Sequence, residues 1–144
     1  MKKLFVVLAV LCMFCVCQAN ELSFKFGHEY LDVETSMDFG NLQFGGKYVA
    51  HWYEYHRHYS SEDQFVGPFA RLNILKVGPI TGNIGIAYLM STKDYGKDYW
   101  VPETGLVVVL NDTVSLPVSI MYCDDKVMFG ENRFLIVAGV SVNF

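Results

Sequence analysis

His51, His56 and His58 crowd one short stretch, and Ser60 and Ser61 follow at once. His58-Tyr59-Ser60 is an H-x-S spacing at a loop edge. An imidazole beside a hydroxyl is the pairing that nucleophilic catalysis uses. The tripeptide alone has low specificity, because a polar rim where a strand meets a loop has the same composition. His56 and His58 stand two apart, hence on one strand face, and could bind a metal. A convincing third ligand is missing, so no metal and no other cofactor is expected. A histidine pair at a membrane interface is the commoner explanation. Cys123 ends a strand-like run, and packing is the commoner use of such a thiol.

The chain that must position these residues has 144 of them, 52% hydrophobic, 15% aromatic and 18% charged. Disorder needs low hydrophobicity and high net charge, so it is excluded. One domain fits this length. The longest apolar run, Leu4 to Cys17, has fourteen residues, and a spanning helix needs about 20. A chain this apolar with no spanning helix must place its apolar residues in another way.

Met1-Lys2-Lys3, the apolar run and Cys17-Gln18-Ala19 follow one another in the order of a secretory signal peptide. Cleavage is expected after Ala19, leaving 20–144 as a single barrel domain. Cys12, Cys15 and Cys17 each follow a large residue, which argues against a lipoprotein cysteine. Without Lys2 and Lys3 the basic count falls from 11 to 9 against 15 acids, a net charge of −6. Nucleic-acid binding is therefore not expected. Of four cysteines only Cys123 remains, so no internal disulfide can form.

Period two dominates the rest. Phe134, Ile136, Ala138, Val140, Val142 and Phe144 share one face. Val114, Leu116, Val118, Ile120 and Tyr122 share another, as do Ile84, Ile86, Tyr88 and Met90. Leu22, Phe24 and Phe26 lie opposite Ser23, Lys25 and Gly27. These are strand patterns. The second faces are rich in Gly, Ser, Asn and Ala and poor in charge. Small polar residues suit a crowded lumen, and continuous apolar faces suit lipid. Only helices and closed barrels satisfy every backbone group in a bilayer.

Gly45-Gly46, Lys76–Pro79 and Asn111-Asp112 read as short turns. Longer polar loops are expected around Asp32–Ser36, Tyr59–Asp63, Thr92–Pro102 and Asp124–Asn132. The expected strands are 21–30, 37–44, 47–58, 64–75, 81–91, 103–110, 113–123 and 133–144. The expected fold is thus all-β, an eight-stranded antiparallel up-and-down transmembrane β-barrel with both termini on the short-turn side. Facing Glu54 inward leaves His51 toward lipid, so a bulge is expected in the third strand.

An eight-stranded lumen is just wide enough for side chains. Lys25, Glu29, Glu54, Arg71 and Asn73 are the inward candidates. They could form a polar relay. An internal salt-bridge network is the preferred reading, because buried charges must be paired. Asp32, Glu34, Glu62, Asp63, Asp94, Asp98, Asp124, Asp125 and Glu131 are expected in acidic outer loops. Trp52, Tyr53, Tyr55, Tyr59, Tyr88, Tyr99, Trp100 and Tyr122 are expected as a girdle at the outer end. Phe44, Tyr48 and Phe144 would mark the other end.

The ending Val140-Ser141-Val142-Asn143-Phe144 resembles the terminal strand of bacterial outer-membrane barrels. With the signal peptide and the hairpin rhythm, the whole chain is similar to the small eight-stranded outer-membrane barrels of OmpX and OmpA type. A looser likeness to the YfaZ type rests on Glu29–Val33, Val77–Pro79 and Lys93–Gly96. The resemblance implies a Gram-negative outer-membrane location beside lipids and lipopolysaccharide. It also implies that the barrel-assembly machinery reads Phe144 as its signal. His58-Tyr59-Ser60 resembles the local motif of PagL-type lipid A deacylases, which share the fold. By that resemblance His58 is the base, Ser60 the nucleophile, and Glu62 or Glu54 the orienting carboxylate. This chain departs from the pattern in carrying 84 residues after Ser60, and in having Ser61 where Asn is usual. No Asp-Ser element like that of PagP-type acyltransferases is found.

The function expected is a non-enzymatic structural or surface-interaction barrel. One alternative is a lipid A-modifying enzyme using His58 and Ser60. The other is a soluble, lipocalin-like periplasmic binding barrel, which needs Ile84, Ile86, Val114, Leu116 and Val118 to point inward.

Overall fold

The computed structural model describes residues 20–27, 30–51, 64–92, 96–124 and 133–144. Eight strands follow in order: β1 (Glu21–Gly27), β2 (Tyr30–Phe39), β3 (Leu42–His51), β4 (Gln64–Val77), β5 (Ile80–Ser91), β6 (Tyr99–Val109), β7 (Val114–Tyr122) and β8 (Phe134–Asn143). Each pairs antiparallel with its neighbour in sequence, and β1 pairs with β8, from Glu21 opposite Asn143 to Gly27 opposite Val137. The result is a closed up-and-down barrel, which leaves no sheet edge free.

Alternation decides what faces where. Ile84, Ile86, Leu116, Val118, Ile120, Ile136 and Val140 are exposed, while Asn83, Ser115, Ser119, Met121, Leu135 and Ser141 between them are buried. The faces of β5, β7 and β8 are those that the sequence pattern predicts. The inward placement that a lipocalin-like interior requires does not occur: Ile84 is 47% exposed and Val118 42%. Every strand contributes large exposed apolar side chains, among them Phe24, Phe39, Phe44, Leu72, Ile86, Trp100, Ile120 and Ile136. Among the described strand residues on the outward face, none is charged.

The first three strands differ from the expected ones. The segment expected as a loop, Asp32–Ser36, lies inside β2. Its polar residues at every second position line the lumen. Gly45-Gly46 is not a turn but the middle of β3, where Gly45 stands opposite both Ser36 and Phe69. A Cβ on Gly45 would collide first with the Thr35 carbonyl oxygen and then with the Phe69 ring, 2.7 Å from its Cε1. The glycine there makes room for that ring. The hairpin turn is at Gly40-Asn41, and Gly40 takes φ 66°, the left-handed region that favours glycine. Only two residues, 28 and 29, separate β1 from β2. The first connection is therefore short, and the longer ones follow β3, β5 and β7. The ladders of β3 run without a shift over their described pairs. The bulge expected near Glu54 falls outside the described residues, and a bulge lies in β4, between Asn73 and Leu75. It turns both Ile74 and Leu75 outward, where they are 58% and 54% exposed.

Gly139 of β8 sits opposite Lys25 of β1 at the seam that closes the barrel. A Cβ at Gly139 would collide with the Phe24 carbonyl oxygen and lie 2.6 Å from the Lys25 Cα. Backbone would have to move at the seam. Gly139→Ala is therefore expected to abolish the folded, heat-modifiable form on unheated gels, whereas Ala138→Val, one residue away on the outer face, retains it. Equal folding of the two variants would contradict this account of closure.

Candidate functional site

The lumen is divided along its length. Toward the longer connections it is filled by Val49, Phe65, Ala87, Leu89, Val101, Met121, Cys123, Leu135 and Val137, one packed apolar cluster. Phe65 and Tyr99 meet edge-on there, with centroids 5.8 Å apart. Cys123 lies within this cluster, so its role is packing. Toward the short turns the inward positions are polar, and between the two halves lies a belt of buried charges.

That belt holds Lys25, Lys47 and Arg71 against Asp32, Glu34 and Glu103, all at most 6% exposed. Glu34 is its hub. Its Oε1 lies 2.6 Å from Lys25 Nζ, 2.7 Å from Lys47 Nζ and 3.0 Å from an Arg71 terminal nitrogen. The same Arg71 nitrogen donates to Glu103 Oε1 at 2.6 Å, and the Arg71 Nε donates to it at 3.0 Å. Lys47 also pairs with Glu103. Asp32 approaches Lys25 and Lys47 more distantly, at 3.4 and 3.7 Å. Three cations and three carboxylates thus balance. Pairing of this kind is what charges require when taken out of water. The face of Phe69 supports the cations from one side, its centroid 4.7 Å from Arg71 Cζ and 5.6 Å from Lys47 Nζ.

Below the belt a hydrogen-bonded chain continues to the short-turn mouth. Arg71 donates to Gln43 Oε1 at 2.9 Å, and Gln43 donates to Glu21 at 2.7 Å. Ser141 donates to Glu21 from across the seam. A cavity of about 140 Å³ opens here, lined by Glu21, Ser23, Gln43, Arg71, Asn73 and Asn83 among others.

The structure gathers Lys25, Arg71 and Asn73 on the lumenal side, although Asn73 only lines the cavity. Glu29 and Glu54 lie outside the described residues, as do His56, His58, Ser60, Ser61, Glu62 and the segment 1–19. Asp32 and Glu34, expected in an outer loop, are instead at the centre of the belt. Sequence reasoning also missed Lys47 and Glu103. The available signal was the period of two through Asp32, Glu34, Ser36 and Asp38, which is a strand face and not a loop. Tyr48, expected at the short-turn end, is paired with Val33 and Val66 in the other half of β3.

At the longer-connection rim, the rings of Tyr88 and Trp100 meet at a tilt with centroids 4.7 Å apart, and those of Tyr122 and Phe134 at 5.0 Å. Tyr88 donates to Asp98, and Tyr122 to Asp124. At the other rim Phe39 and Phe44 meet at 6.2 Å, and Phe144 is 75% exposed. Among the described residues no group of three or more His, Cys, Asp or Glu could hold a metal.

The fold and its interior define a small eight-stranded β-barrel with a charged, filled lumen. Among solved structures, the chain is similar to Neisserial surface protein A (NspA), at 12% identity and a TM-score of 0.48 over 86% of this chain and 94% of that one. No family model and no curated protein matches the sequence.

Removing the hub leaves three cations with two carboxylates. Glu34→Gln is expected to lower stability by about 3–5 kcal/mol, the usual cost of breaking a buried pair. Asp112→Asn, in an exposed turn, should change it by less than about 0.5 kcal/mol. Urea unfolding of the refolded barrel in detergent measures both.

Proposed function

We propose that this chain is a small outer-membrane β-barrel with a structural or surface-interaction role and no catalytic or general-pore activity. One observation carries the reading: the described outward strand face bears no charge, while the buried charges of the same strands are paired inside. A water-soluble barrel would invert or mix these faces, and soluble monomers rarely expose continuous apolar area of this extent. An arginine or lysine at the bilayer midplane costs about 2–4 kcal/mol in such barrels, which accounts for an outward face with none. Aromatic pairs at both rims support the same placement.

The packed apolar cluster and the charge belt fill the lumen in series, which supports a non-conducting role. The reading includes export by residues 1–19, cleavage near Ala19, assembly through the terminal strand ending in Phe144, and contact with outer-membrane lipids and lipopolysaccharide. The longer connections would then face the medium. The lipid A-modifying alternative rests on His58 and Ser60, outside the described residues.

Expression in a Gram-negative host followed by fractionation tests the placement. The protein is expected in the outer-membrane fraction after alkaline washing, with a folded form that shifts on heating. Recovery in the soluble periplasmic fraction would overturn it. Lipid A profiles of cells carrying His58→Ala and Ser60→Ala should match the wild type; a changed profile would favour the enzyme.

A further inference from the structure

We draw no further inference here: the strongest candidate, the polar recess at the short-turn mouth lined by Glu21, Asp38, Asn73 and Asn83 among others, is a group of carboxylates and amides whose wall also carries Lys76, opposite Thr81, and nothing among the described residues points to a ligand for it.

Discussion

Charges sealed in a narrow apolar tube must be paired with one another, and the rest of this barrel follows from that constraint. Glu34 accepts from three cations on β1, β3 and β4, and Glu103 on β6 completes the balance. The belt therefore ties five strands across the lumen with contacts far apart in sequence. It also dictates what surrounds it. Lys25 is long, and the positions shown beside it are small: Gly139 and Ser119. Phe69 supplies a ring face to the cations, and Gly45 yields the space for that ring. A buried pair of this kind specifies arrangement more than it adds stability, because desolvation offsets much of the attraction.

The second half of the sequence was legible and the first half less so. From β4 onward, β-branched and large apolar residues alternate with Ser, Gly and Asn, and the pattern alone gives the strand faces. In β2 the alternation is equally regular, but its inward members are Asp32, Glu34, Ser36 and Asp38. Acids at every second position look like a solvated loop until the cations that meet them are known. Those cations sit on β1, β3 and β4, and no local window contains both partners. Gly45-Gly46 failed for a related reason. Glycine pairs mark turns, but glycine also stands where a neighbouring side chain needs volume, and the Phe69 ring is contributed by another strand. Adjacent Ile74 and Leu75 interrupt the alternation, and the bulge there is set by pairing with β5.

The same division of faces links fold to function. The tension between high hydrophobicity and the lack of a long apolar helix resolves into a barrel whose apolar residues lie mostly outside. The interior is filled twice over, by an apolar cluster toward the longer connections and by the charge belt below it. At the short-turn mouth a polar recess remains, lined by Glu21, Asp38, Asn73 and Asn83 among others.

The central claim is that even positions of β7 face outward, toward lipid in the proposed placement, and odd positions face the lumen. Single spin labels along β7, placed in a Cys123→Ser background and reconstituted in liposomes, test it most directly. Oxygen accessibility should be high at Leu116, Val118 and Ile120 and low at Ser115 and Ser119, an alternation of period two. A flat profile, or higher accessibility at the serines than at Val118, would contradict the account.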